Sequence, residues 1–188
     1  MPEEPTPEKK KFPWPTQSGK DHYEVVSALQ KSIRRGLEKR ALACASDLYT
    51  SGYADVAWTR FLVIASEDIG LADPNVCVQI RTLHETWKLR KKEPDALLYF
   101  VHAVLILVRA PKSRIVDNAL SCFFFGPPVE FDILDWALDK HTKRGKEMGR
   151  GMKHFFEESA KLVNCVLEDP YEEGAKKRRM AANGESRE

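Results

Sequence analysis

VAWTRFLVIASEDIGLADP, residues 56–74, reads as a helix with an abrupt end. Trp58, Leu62, Ala65 and Ile69 recur at i, i+4, i+7 and i+11, which is one helical face. Phe61, Val63 and Ile64 fill the other sides, so the spacing predicts a helix that is apolar almost all round and centrally buried. Gly70 is suited to the left-handed position that closes a helix, with Leu71 folding back over the last turn. Asp73 and Pro74 then fit the cap and first position of the next helix. Ser66-Glu67-Asp68 breaks the apolar pattern. Two carboxylates there face the negative end of the helix dipole and lose solvation against a core. They need cationic compensation, or they bind something.

Working outward, the segments before this helix divide in two. Asp21 opens a helix with Tyr23, Val26, Leu29 and Ile33 at helical spacing and Gly36 as its stop. A second runs from about Leu37 to Thr50, with Leu42, Ala45 and Leu48 inward and Ser51-Gly52 as its stop. After the central helix, residues 75–91 carry Val76, Ile80, Leu83 and Trp87 on one face and end in the basic KLRKK. Pro94 opens a fifth helix, 95–109; Pro111 breaks it, and Ser113 caps a sixth containing Ile115, Ala119 and Cys122. FFFGPP at 123–128 reads as a stiff apolar turn. A seventh helix is expected over 129–140 and an eighth over 146–167. No useful β alternation and no internal repeat interrupts this. The expectation is an all-α fold, a compact bundle of about eight helices built from helical hairpins.

Four pieces of this order resemble one family. ASEDIGLADP (65–74) is similar to the signature of the C-terminal domain of the replication-associated recombination protein A family. Those are AAA+ ATPases that include the eukaryotic Werner-helicase-interacting ATPase. KSIRRG (31–36), SGYADVAWTR (51–60) and RAPKS (109–113) resemble further family motifs in the same order. The resemblance covers roughly residues 21–125. It implies a domain of the clamp-loader collar type that holds subunits together as a tetramer, with DNA and a separate AAA+ ATPase as candidate partners. The family's ATPase module lies upstream of this domain. No GxxxxGK[ST] phosphate loop occurs in these 188 residues, so ATP hydrolysis is not expected of them.

Bulk properties bound the rest. A length of 188 residues suits one domain, 21–168, between a Pro-, Lys- and Glu-rich segment (1–20) expected to be mobile and a charged tail (169–188). Phe12 and Trp14 in the first segment are expected to dock onto the domain or a partner. A charged fraction of 31% and a net charge of +2 exclude a histone-like polycation. Cys44, Cys77, Cys122 and Cys165 form no CxxC pair, so buried free thiols in a reducing compartment are expected, with no metal and no cofactor. MPEEP lacks an apolar signal core, and the apolar run 96–108 is too short to span a bilayer. The expected location is intracellular, cytoplasmic or, if KKRR (176–179) acts as an import signal, nuclear.

Chemistry has few places to reside. HExxH, GxSxG and Cys/His metal spacings are absent, so an enzyme is not the expected class. Two constellations remain. Glu67 and Asp68 face the basic Lys31, Arg34, Arg35 and Arg60, either as an internal ion-pair network or as a subunit contact or ligand site. Residues 139–158 offer Lys140, His141, Thr142, Lys143, Arg144, Lys146, Arg150, Lys153 and His154, with Gly145, Gly149 and Gly151 between them. Glycine backbone amides of this kind form anion-binding nests, and Lys146, Arg150 and Lys153 at i, i+4 and i+7 make a basic stripe if the segment is helical. A phosphate- or nucleic-acid-binding element is one reading; a solvated basic face with packing glycines is the other. The function expected from all of this is a non-catalytic oligomerisation and nucleic-acid-associated domain linked to DNA replication or recombination repair. The alternatives are an enzyme or binding protein for a phosphorylated small molecule at 141–154, and a structural adaptor.

Overall fold

Asp21 starts the first helix as expected: its carboxylate accepts from the Tyr23 N–H at 2.7 Å and the Glu24 N–H at 3.3 Å. The computed structural model describes residues 15–185, so the expectation for Phe12 and Trp14 lies outside the described residues. Helix α1 (His22–Arg34) ends at Gly36, with φ +68°, and α2 (Glu38–Thr50) ends at Gly52, with φ +82°. Helix α3 (Ala54–Ile64) leads into a π-helical turn (Ala65–Ile69) and a 3-10 turn (Gly70–Ala72). Then come α4 (Val76–Leu89), α5 (Ala96–Arg109) and α6 (Ile115–Phe124). Among the described residues every regular element is helical, and no helix is long and apolar enough to cross a membrane.

The core of this first unit gathers α1 to α5 around Trp58, Phe61, Trp87 and Phe100, all fully or nearly fully buried. Trp58 meets Phe61 and Phe100 edge-on at 5.4 and 5.6 Å, the favoured arrangement of aromatic quadrupoles. The inward arc of α3 is centred on Phe61, not on Leu62. Ala57, Trp58, Phe61, Ile64 and Ala65 are buried, while Leu62 and Val63 are 37% and 39% exposed. A helix packed on one side leaves its other side to solvent, however apolar. A similar rotation affects α1, where His22, Val25 and Ser32 turn inward and Tyr23 outward. In α2, Ala41 joins Ala45 and Leu48 inside, and Leu42 is half-buried.

Further expectations are corrected here. Residues 15–20 are not a loose segment: Thr16 is buried, the Gln17 amide donates to Ser51 and the Ser18 hydroxyl to Asp47 at 2.6 Å. Leu71 is exposed and does not cover the preceding turn. Asp73 accepts from the Asn75 N–H at 3.1 Å, but α4 begins only at Val76, so Pro74 precedes the helix. Cys44 is half-buried and Cys77, Cys122 and Cys165 are exposed, so the thiols are free but not core residues.

The chain divides into two compact units between Pro128 and Val129, where the sequence suggested one domain from 21 to 168. In the second unit the helix expected over 129–140 is reduced to a 3-10 turn (Asp135–Ala137). The helix expected over 146–167 is replaced by α7 (Lys143–Glu147), α8 (Met152–His154) and a π-helical turn (Phe155–Ser159). Gly149, with φ +70°, separates α7 from α8. The charged tail contains a further helix, α9 (Glu172–Ala182), in which Lys176 pairs with Glu172 at 2.6 Å. Leu138, Met152 and Asp139 are buried in this unit.

Candidate functional site: the charge network that carries helix α6

The π-helical turn adds a wide turn where α3 ends, and places Asp68 in the core with no solvent exposure. Burying a carboxylate demands partners, and they converge from three directions. From α1, the Arg34 Nε donates to the Asp68 Oδ1 at 2.6 Å and its second nitrogen to the Glu67 Oε1 at 3.0 Å. The Gln30 amide bridges both carboxylates, to Asp68 at 2.9 Å and Glu67 at 3.1 Å. From the turn before α6, Arg114 reaches Glu67 at 3.2 Å and Asp68 at 3.3 Å, and also pairs with Asp117.

Of the residues that the sequence groups here, the structure brings Arg34, Glu67 and Asp68 together. Arg60 belongs only at second hand, donating to the Gln30 side-chain oxygen at 3.0 Å. Lys31 and Arg35 do not belong: Lys31 donates to the Ser27 hydroxyl and Arg35 to the Lys31 carbonyl. Gln30 and Arg114 were missed. Gln30 carries no charge to flag it, and Arg114 lies 46 residues from Asp68 in sequence. Its signal was RAPKSR at 109–114, where a basic residue follows the Pro-broken turn.

Two arginines and the Gln30 amide hold the Glu67 and Asp68 carboxylates, and Arg114 carries the network on to Asp117 in α6. The backbone extends it: the Ser113 N–H donates to the Asp68 carbonyl at 2.9 Å, and the Ser113 hydroxyl accepts from the Ile115 N–H at 3.2 Å. Lys112 caps α5 by donating to the Val108 carbonyl at 3.1 Å and to the Ala110 carbonyl. Burial lowers the affinity of its amine for a proton, and the nearby Asp68 charge partly restores it. These contacts, with Val116 packed over Gly70, fix where α6 starts and how it is aimed. Gly70 has φ +48°, and a Cβ there would lie 2.9 Å from the Val116 Cγ2.

No residue of α6 is buried. Ile115, Val116, Leu120, Phe123, Phe124 and the following Phe125 are 40–77% exposed, which makes one continuous apolar element held by a polar base. Three phenylalanines and three aliphatic side chains at those exposures present on the order of 600 Å² of apolar surface. Monomeric proteins seldom leave so much uncovered.

In the second unit the basic segment is not a stripe. Lys146 lies in α7, Arg150 in the turn and Lys153 in α8. Arg150 is tied inward, donating to the Asp135 and Leu138 carbonyls at 2.6 and 2.7 Å and pairing with the Asp135 carboxylate. Lys140 donates to the Asn183 side-chain oxygen at 2.6 Å. His141 pairs with Asp139 at 2.8 Å, and the His141 hydrogen bond holds the Asp139 carboxyl below the usual carboxylate range. Thr142 caps α7 through the Gly145 N–H. The glycine-rich backbone does grip an anion, and it is the chain's own: Glu185 accepts from the Met152 and Lys153 amides at 2.7 and 3.0 Å. The side chain of His154 is half-buried with its Nδ1 unpartnered, while Lys143, Arg144, Lys146 and Lys153 remain exposed. Among the described residues no group of His, Cys, Asp and Glu is placed to hold a metal ion.

Comparison with known proteins places the first unit. Residues 45–124, from within α2 to the end of α6, match the family described as MgsA AAA+ ATPase C terminal. The chain is 34% identical over 142 residues to the replication-associated recombination protein A of Bacillus subtilis, an alignment covering 73% of this chain and 33% of that protein. It is 30% identical over 140 residues to the protein of the same name from Escherichia coli K12, covering 72% and 31%. An uncharacterised AAA domain-containing protein of Mycobacterium tuberculosis is 36% identical over 107 residues, covering 56% and 23%. The chain thus spans a third or less of the length of these curated relatives. Residues 45–124, which carry the buried Asp68, its Arg114 partner and α6, thus form a domain of the MgsA-type AAA+ ATPase C-terminal family.

Proposed function

We propose that this chain is a subunit-assembly domain of a replication- or recombination-linked AAA+ system, and that α6 is the contact between copies. What supports the link to replication is likeness to relatives that carry those words in their names. The observation that carries the assembly reading is α6 itself, ten residues with none buried. Its apolar surface of roughly 600 Å² is close to the ~800 Å² per partner of a stable interface. A second copy of the same helix is self-complementary in chemistry, as a symmetric contact requires. The charge network has a part in this: it holds α6 at a set angle while its outer residues stay free to pack.

Light scattering on the wild type and on a Leu120→Glu, Phe123→Glu double variant tests the reading. The wild type is expected to elute as an oligomer, a tetramer on the family resemblance. The variant is expected to be a monomer that keeps the helical circular dichroism of the wild type, because neither side chain is buried in the protomer. A monomeric wild type at about 100 µM, well above the roughly µM weak end of standard-size interfaces, overturns it, and so does a variant that still assembles.

A further inference from the structure

Helices α1 and α2 form a hairpin, and an open trough runs along its outer side. One end is lined by Tyr23, Ser27, Lys31, Ser32, Arg35 and Arg40, and encloses about 640 Å³. The other end is lined by Lys20, Val25, Ala43, Cys44 and Asp47. Glu24, Ala28 and Arg40 line both, so the two are one continuous channel. From Lys20 to Arg35 it follows about 20 Å of helix.

Charge is unevenly distributed along it. At the first end three cations, Lys31, Arg35 and Arg40, stand over a single carboxylate, Glu24. None of the three forms an ion pair among the described residues: Lys31 donates to the Ser27 hydroxyl, and Arg35 uses one nitrogen on the Lys31 carbonyl. This differs from Arg34, one position away, which the acidic network fully engages. Ser32, only 3% exposed, lines the trough with the three cations. Its hydroxyl has no hydrogen-bond partner among the described residues. A serine hydroxyl lining a groove together with three cations that form no ion pair is a donor set open to an anionic acceptor.

We propose that this trough binds single-stranded nucleic acid through its phosphodiester backbone, with Ser32, Arg35 and Arg40 on phosphate oxygens and Lys31 beside them. A phosphate offers several acceptor oxygens to donors converging from two helices. The trough is open along its length, which suits a strand passing through it. Tyr23 and Leu37, 56% and 47% exposed at the rim, supply apolar surface for the bases. Backbone contacts of this kind carry no base preference. This site goes beyond the assembly reading and does not depend on it, since the trough lies on α1 and α2 and not on α6.

The test is fluorescence anisotropy of labelled dT20 over a salt series with the full chain. Three phosphate contacts predict a slope of log affinity against log salt of about −2 for a single strand. An Arg35→Gln, Arg40→Gln double variant is expected to bring that slope to about −0.7 and to weaken binding at least roughly tenfold at low salt. Ser32→Ala is expected to weaken binding several-fold with the slope unchanged. The assembly-deficient Leu120→Glu, Phe123→Glu variant should keep the wild-type slope, which separates this proposal from the previous one. Failure of the wild type to bind dT20 at low salt overturns the proposal, as does a double variant that binds like wild type. Loss of binding in Lys146→Gln, Lys153→Gln instead would move the contact to the second unit. Displacement of dT20 by an equal charge of polyglutamate would make the trough a site for acidic peptides.

Discussion

Trp58 and Leu62 sit one turn apart on α3 and differ completely in burial, 0% against 37% exposed. Trp58→Ala removes the ring at the centre of the aromatic cluster and should cost about 3–5 kcal/mol, whereas Leu62→Ala should cost about 1 kcal/mol. Chemical denaturation of both variants checks this; equal losses would mean that the inward arc is centred elsewhere. The sequence pointed to the right helix and the wrong centre, because both residues are large and apolar and periodicity alone leaves the face free to rotate by one position. A sharper signal was available. Taking Phe61 as the centre puts Asp68 seven residues on, along the same arc, and so marks it as the buried acid. His84 gives a pH-dependent case. It stacks on Trp58 with ring centroids 4.9 Å apart, and burial, reinforced by Lys88, holds its imidazole below the ordinary value of about 6.5. Between the folded and ordinary values the unfolded chain therefore binds more protons than the folded one. The melting temperature should be highest above about pH 6.5 and fall as the pH drops below it. His84→Gln should flatten that part of the profile; an unchanged profile would show that other groups set it.

At the scale of elements, α6 poses the main question: what holds a helix that buries none of its own residues? Its mount is the π-helical turn, the Arg114 bridge and the Gly70–Val116 contact. Gly70→Ala forces a side chain into a positive-φ position and against a Val116 carbon, which should cost about 1–3 kcal/mol. The larger expected effect is on α6: amide exchange over 115–124 should speed up while that of α5 is unchanged. Uniform acceleration across both would mean that α6 is held by something else. Elements α1 to α5 were legible because their apolar spacing agrees with their stop signals, Gly36, Gly52 and Pro111, and local and global preferences coincide. Residues 129–168 were misread for a physical reason. Their apolar residues satisfy a helical period, but Gly145, Gly149 and Gly151 weaken any continuous helix. Two of them also serve close approach: a Cβ on Gly145 would lie 1.9 Å from the Asp139 carbonyl oxygen, and one on Gly151 would lie 2.4 Å from the Glu185 carboxylate. The basic stripe existed only on the assumption of that helix, and it disappears with it.

At the scale of the whole molecule, the boundary at Pro128 was visible in FFFGPP, where Gly126 has φ +95° and two prolines follow. The sequence reads it as a stiff apolar turn inside one domain over 21–168, whereas the structure divides the chain there. The buried cluster of α1 to α5 lies wholly within residues 25–108. The acidic network, its two arginines and α6 all precede Pro128 as well. A chain truncated after Pro128 therefore retains every buried apolar side chain of that cluster and every partner of Asp68. It should melt cooperatively within a few degrees of the corresponding transition in the full chain, with the helical circular dichroism expected of α1 to α6. If α6 is the contact between copies, the truncated chain should also keep the oligomeric state of the full chain by light scattering. A truncated chain that is unfolded would show that the first unit draws stability from residues beyond 128. One that is folded but monomeric, from an oligomeric parent, would move the assembly contact out of α6 and into the second unit.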